Sequence, residues 1–582
     1  LIVCDNILQY KSFFAYSEKT NKSFFAEFKD GINIIYGRNT SGKSTLIQAI
    51  LYTFGINDVK TPLNDILDEK PIFRLDCELS IKNITTNLTL IRDDENIYIQ
   101  QDTKPIKSFF GISGNGSEHS KLKLFLHELF GFSLQLQQKD TMVKASIETI
   151  FLPYYIAQST GWVYLRESFS KLGFYKNFKY DYLDYYLGID NEIDKEEKQK
   201  LEKAKLSFEN EIKFLNEFET TNEKLTITKM LDENFITKAN NYIEKFKEKE
   251  EELRKKETEY IDKCNKLSFY SSRIKILNKV KRNHLKQNPE KDNCPVCQNK
   301  LNFSTEAIYG YHQDLNDTEN QLIEIKEKQK KLQGTINSLK KTIEALKEEI
   351  NKEFQIVKKY EQEQITFEKW LNNKSNTRLI QNIELKLVKL NKELQDKKDD
   401  LKKYKTDDEV QKIRDDFDSE FSKLFQSYLK ELNVESKSVY DYKYTTLYKS
   451  SVFPLQGVEL HKAILAHNFA FNKIINDNNR NIHRLPYLID AIFKEDIDIL
   501  NKPLLLNFVN NYKLSDTQTI ISIAYKDDET NSIIDDYNKN NFKNQANLIC
   551  IGNAVKTQAF LSDFDIKSQD ILDNTFEIMD II

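Results

Sequence analysis

The sequence predicts an α/β head built from both ends of the chain, plus a long antiparallel coiled-coil hairpin inserted between them. Three observations predict it. A phosphate-loop motif lies near the N-terminus, two heptad-patterned arms fill the middle, and a Cys-x-x-Cys turn separates the arms almost at the midpoint of 582 residues. The bulk composition agrees, because 30% charged residues and a mean hydropathy of -0.61 are too polar for a wholly globular chain. Only 15 Gly and 9 Pro leave few breakers, so long uninterrupted helices are permitted. A formal net charge of -4 excludes a basic nucleic-acid coat, and any DNA contact must come from local patches. Six cysteines, scattered apart from the central pair, fit a reducing compartment. The first residues are polar too early for a signal peptide, and no run of about 18 apolar residues occurs. The expectation is a cytoplasmic protein with no membrane span, and the missing initiator Met implies a few preceding residues.

Residues 1–190 are the expected first lobe of the head, where short β-rich runs (34–36, 73–77, 88–91) alternate with turn clusters. The first of these runs leads into Gly37-Arg38-Asn39-Thr40-Ser41-Gly42-Lys43-Ser44, which fits the pattern GxxxxGK[ST]. From Thr45 an apolar stretch continues as helix, so the motif stands between strand and helix, the context that the chemistry requires. Backbone N–H groups of the loop and the helix N-terminus would hold phosphates. Lys43 would reach the β- and γ-phosphates of ATP, and Ser44 would ligate Mg²⁺.

From 191 the composition turns to Lys, Glu, Asn and Leu. In the first arm (191–287) Leu253, Tyr260, Cys264, Leu267, Ser271 and Ile274 keep a seven-residue beat. In the second (308–428) Leu332, Ile336, Leu339, Ile343, Leu346 and Ile350 alternate steps of four and three, and Ile383, Leu387, Leu390, Leu394 and Leu401 resume the pattern. A sustained period of 3.5 residues specifies a left-handed coiled coil. Arms of similar length around one turn are most simply a single antiparallel hairpin. About 95 helical residues at 1.5 Å each would reach roughly 140 Å. The alternative is two separate helical bundles.

The apex (288–307) carries Cys294 and Cys297. Two cysteines three positions apart supply half of a tetrahedral Zn²⁺ site, which wants four soft ligands. No second pair lies nearby, so the same turn of a second copy would complete it, which makes the chain a homodimer. A redox dithiol belongs at the start of a helix after a strand, whereas this pair stands among Asn293, Gln298 and Asn299 on a polar turn. Two buried thiols are the remaining alternative.

After 429 the composition is globular again, and residues 429–582 are the expected second lobe. Residues 484–490 form a short apolar strand ending in Asp490, as a Mg²⁺-positioning Walker B strand does; the plainer reading of Asp490 is a turn residue. Residues 517–523 read as the next buried strand of the same sheet.

This order of motifs resembles the SMC/ABC-type ATPases with a zinc hook over the whole chain, which implies an ABC-type ATPase head. The resemblance implies two heads that sandwich ATP, each site completed by a signature loop from the other. The corresponding loop is 454–460, where Gln456-Gly457 stands in place of Ser-Gly. It further implies that Gln158 is the Q-loop glutamine, touching Mg²⁺ and the attacking water; a buried aromatic strand and turn is the alternative there. Two departures bear on catalysis. Ala491 follows Asp490 where a water-activating glutamate is usual, and Ala524-Tyr525 stands where a switch histidine would follow the last strand. Hydrolysis is therefore slow by design, or Glu495 substitutes, or the glutamate was replaced to trap ATP.

With Gly161-Trp162 after Gln158 and the Asp-Ala-Ile-Phe-Lys-Glu-Asp stretch at 490–496, the whole pattern most resembles the SMC-like subunits of Lamassu-type bacterial anti-phage and anti-plasmid systems. That resemblance implies sensing of double-stranded DNA or DNA ends, a partner nuclease effector and a small accessory subunit. A break-repair ATPase of the zinc-hook type and a degenerate scaffold that binds ATP without turning it over are the competing readings. Lysine- and arginine-rich stretches (275–282, and Lys397, Lys398, Lys402 and Lys403) could touch DNA phosphates or simply form a solvated coil face.

Overall fold

The computed structural model describes residues 6–59, 63–82, 84–112, 116–139, 141–158, 160–162, 168–170, 172–189, 195–221, 233–286, 305–353, 376–445, 453–477, 482–493, 497–525, 532–552 and 560–580. It divides into two compact units, one made of residues 1–192 with 407–582 and the other of 193–406.

The first unit is an α/β head built from both stretches of the chain. At its centre lies a five-stranded parallel sheet in the order Tyr155–Ile156, Tyr487–Ile489, Thr519–Tyr525, Ile32–Arg38 and Asn547–Cys550. Two of these strands come from the N-terminal stretch and three from the C-terminal one, so neither end can complete the sheet alone. The sequence shows why they lie centrally. Ile32, Asn33, Ile34 and Ile35 form a nearly continuous buried run, as does Thr519 to Ile523, the mark of a parallel strand covered on both faces. Both candidate motif strands are here: Tyr487–Ile489 delivers Asp490, and its neighbour Thr519–Tyr525 lies between it and the phosphate-loop strand.

A second, seven-stranded sheet runs Ser562–Asp563, Lys22–Glu27, Ile7–Ser17, Pro71–Ile81, Ile84–Asp93, Asn96–Gln101 and Lys107–Phe110, with every pair antiparallel. The Lys43–Thr53 helix is buried at Leu46, Ile47, Ala49, Ile50 and Leu51, and these residues share one core with both sheets. The Gly457–Asp477 helix is buried on nearly every side from His461 to Phe471, as befits a helix inside a head rather than on it.

The second unit is a coiled coil. Glu233–Lys286 packs against Thr305–Glu353, and Lys195–Thr221 against Asn376–Leu401. Early residues of one helix meet late residues of the other, so the pairs are antiparallel: Phe246 clusters with Ile350, while Ile274 and Leu277 cluster with Leu322. The heptad positions face the seam. Leu267, Ser271, Ile274, Ile336, Leu339, Ile343, Leu346, Ile350, Leu390 and Leu394 are all buried; the side chain of Ile383 lies outside the described residues. Within the seam Gln329 Nε2 donates to Ser271 Oγ at 3.0 Å, a buried polar contact that favours one register. Ion pairs such as Lys249–Glu349 and Lys347–Glu257 cross between helices at 3.1 and 2.7 Å. Their exposure makes each worth less than about 1 kcal/mol.

The second arm was expected to run to 428, but Asp407–Glu431 belongs to the head unit. Its Phe417, Phe421, Phe425 and Leu429 recur every four residues and are buried in the head core, where His467 packs against Phe421 and Phe425. The apex, with Cys294 and Cys297, lies outside the described residues, as does Glu495. Among the described residues no group of three or more His, Cys, Asp or Glu side chains could hold a metal ion, and no helix is long and apolar enough to cross a membrane.

Candidate nucleotide site

The phosphate loop is built from its glycines. A Cβ on Gly37 would lie 2.6 Å from Ser41 Oγ and 2.7 Å from the Ile551 carbonyl oxygen. At Gly42, where φ is +104°, a Cβ would lie 2.6 Å from Cβ of Phe560. Neither position can carry a side chain without moving its neighbours. Thr40 also has a positive φ, at +63°, which is uncommon for a β-branched residue. Its hydroxyl is occupied locally, donating to the Asn39 carbonyl at 2.6 Å. Asn39 and Thr40 are exposed, Ser41 and Lys43 are buried, and Arg38, Ser44 and Thr45 are half-buried.

Lys43 turns its ammonium back over the loop, donating to the carbonyls of Gly37 at 3.1 Å and Arg38 at 2.6 Å. Burial pushes its pKa down to about 8, against the opposing pull of Asp490. An anion that replaced those carbonyls would favour the charged form.

Three predicted residues from distant parts of the sequence meet at one point. Ser44 Oγ lies 2.8 Å from Gln158 Oε1 and 2.9 Å from Asp490 Oδ1. A hydroxyl has one proton and can donate to only one of these oxygens at a time. The arrangement is thus short of positive charge. Asp490 is fully buried, its Oδ2 has no hydrogen-bond partner, and burial raises its pKa despite bonds from Ser522 and Ser44. A cluster of oxygens with an orphaned carboxylate oxygen fits a hard divalent cation, which would hold Asp490 ionised.

Sequence reasoning missed Ser522. Its Oγ donates to Asp490 Oδ1 at 2.8 Å and accepts the Ala491 N–H at 2.7 Å. The available signal was one hydroxyl in the otherwise apolar core of Thr519–Tyr525. Gly457 stands apart from this cluster. It opens the Gly457–Asp477 helix with φ +55° and open space where a Cβ would be.

A family model described as an AAA domain matches residues 7–267. The Lamassu protein LmuB of Bacillus cereus (strain VD014) is 26% identical over 541 residues, spanning 87% of this chain and 88% of that protein. The Lamassu protein LmuB of Bacillus sp. (strain NCIM 5461 / CCTCC AB 2011126 / NIO-1130) is 22% identical, spanning 93% and 96%. Along most of its length the chain is similar to Lamassu LmuB proteins. Among solved structures, the Smc head domain with a coiled coil and joint from Pyrococcus yayanosii matches at 14% identity, covering 88% of this chain and 92% of that one, with a TM-score of 0.36. The recombination mediator RecF with ATP matches at 14% identity, covering 90% and 94%, with a TM-score of 0.26.

The match to an AAA domain implies ATP and Mg²⁺, and the residues fit both. The loop 37–44 with Lys43 would hold the phosphates, and Ser44, Gln158 and Asp490 would hold the cation, which when bound would neutralise charge on the phosphates. The residue after Asp490, Ala491, offers no carboxylate and takes a left-handed φ of +54°. Tyr525, in place of a switch histidine, is buried beside the phosphate-loop strand, in register with Arg38.

Proposed function

We propose that this chain is the ATP-binding, DNA-sensing SMC-like subunit of a bacterial anti-phage and anti-plasmid defence complex. In this reading it dimerises through its heads and through Zn²⁺ shared by Cys294 and Cys297 of two copies, and it controls a partner nuclease. A small accessory subunit completes the complex, double-stranded DNA or its ends are the stimulus, and the compartment is the cytoplasm. The convergence of Ser44, Gln158 and Asp490 on one point carries the nucleotide part of this reading. The defence part is supported by the similarity to Lamassu LmuB proteins, which align along most of the chain.

Binding outlasts turnover in this reading. Ser44, Lys43, Gln158 and Asp490 would hold MgATP, while Ala491 removes the group that would orient water. Losing such a group costs orders of magnitude in rate and leaves binding intact. ATP then acts as a long-lived brace for engaged heads.

The test is Lys43→Ala in cells challenged with phage or plasmid, alongside ATP binding to the purified protein. Both protection and binding are expected to be lost, and Ala491→Glu should raise turnover at least about tenfold while keeping binding. Wild-type nucleotide affinity in Lys43→Ala would sink the site assignment. Intact protection in a variant that has lost ATP binding would separate ATP from defence, and wild-type protein that gives no protection would sink the defence role.

A further inference from the structure

The turn that follows the metal-side strand is held at every backbone position by groups from three other segments. Trp162 Nε1 donates to the Asp490 carbonyl at 2.7 Å. His461 Nε2 lies 2.6 Å from the Ile492 carbonyl, which can only accept, so that nitrogen carries the proton. Between them Ala491 N–H is bound by Ser522 Oγ, and Ile492 N–H donates to the Ser522 carbonyl at 3.2 Å. The indole and imidazole are themselves stacked, with centroids 3.6 Å apart and planes at 12°. Both rings are almost wholly buried.

Each ring also belongs to a segment that the nucleotide site uses. Trp162 ends the turn that presents Gln158. That turn closes with Gly161 N–H on the Ala157 carbonyl at 3.1 Å, and a Cβ on Gly161 would lie 2.5 Å from the Ala157 nitrogen. Only glycine at 161 lets the chain double back and set the indole under Asp490. His461 lies one turn into the helix that opens at Gly457. The pair thus ties the Gln158 turn, the backbone of the Asp490 turn and the Gly457 helix into one block.

Plain core packing needs the volume of two rings but not their protons. Here both N–H groups are spent on the two carbonyls that flank Ala491, a residue whose left-handed φ is rare outside glycine and must be imposed by its surroundings. We propose that Trp162 and His461 are positioning residues for the cation-binding carboxylate, fixing where Asp490 and Gln158 stand relative to Ser44. The proposal rests on the MgATP reading of the site. It assigns the pair to the Mg²⁺ half of that site, whereas the phosphate loop does not depend on it.

The experiment measures binding of a fluorescent ATP analogue to the full-length protein, without Mg²⁺ and across a Mg²⁺ titration. Trp162→Phe keeps a ring and loses the donor. His461→Leu loses donor and stack, and His461→Gln restores a donor at similar reach. Trp162→Phe and His461→Leu are expected to raise the Mg²⁺ requirement roughly 3- to 10-fold, the effect of one hydrogen bond. Their Mg²⁺-free affinity should stay within about twofold of wild type, and His461→Gln should recover most of the Mg²⁺ response. An unchanged Mg²⁺ requirement in both variants overturns the proposal. So does a parallel loss of Mg²⁺-free affinity that His461→Gln fails to rescue, which would mean structural damage alone. If Trp162→Phe does not fold, the two His461 variants decide. A wild-type protein that binds no ATP analogue in either condition overturns the site itself, a result distinct from either of these.

Discussion

Lys43 shows how much one buried charge can report. Its pKa of about 8 is low because burial strips its ammonium of water while only carbonyls replace it. In the unfolded chain the same group titrates near 10.5, so between about pH 8 and 10.5 the unfolded state binds more protons and stability from this residue rises with pH. Phosphate binding reverses the local balance, because an anion at the ammonium restores the protonated form. ATP binding should therefore take up protons, about 0.1 per site at pH 7 and about 0.7 at pH 8.5. Calorimetry in buffers of different ionisation enthalpy measures this directly, and uptake that does not grow with pH would rule out Lys43 as the phosphate contact. At this scale the phosphate loop was legible in the sequence because phosphate geometry dictates its glycines and lysine. Asp490 was legible because an acid ends an apolar run. Ser522, Trp162 and His461 were not, because nothing in one strand or helix shows which side chain will face a turn far away in sequence. The left-handed Ala491 was equally hidden, since its conformation is imposed by those contacts.

The arms were legible as elements because the heptad pattern is long and the seam buries what it marks. The end of the second arm was not. Residues 407–431 are as charged as a coil, but the phenylalanines at 417, 421 and 425 keep a strict step of four, which suits a globular core better than an alternating four-three seam. In the coil itself, Ile336 is 1% exposed while Ile323 is 54% exposed on the same helix. Ile336→Ala should destabilise the arm by about 2–4 kcal/mol through lost burial and a residual cavity. Ile323→Ala should cost less than about 0.5 kcal/mol. Amide exchange across 246–286 and 305–350 reads both changes, and equal effects would mean that the seam has been assigned to the wrong face.

At the scale of the whole molecule, every residue of the nucleotide cluster lies in the unit made of 1–192 and 407–582, and the central sheet needs strands from both stretches. The fold of that unit was legible because the phosphate loop lies at one end of the chain and its acidic partner at the other, which forces the ends together. The cysteine pair lies in the intervening stretch of sequence. Zinc and nucleotide should accordingly be separable properties. Purified wild-type protein should contain about one Zn²⁺ per two chains, as four thiolates from two copies require. Cys294→Ser with Cys297→Ser should lose the metal and weaken self-association measured by sedimentation, while ATP affinity and the proton uptake attributed to Lys43 stay at wild-type values. Wild-type protein free of zinc would remove the shared-metal dimer and leave the nucleotide site untouched. A loss of ATP binding together with zinc would show instead that the two ends of the hairpin are coupled through the intact chain.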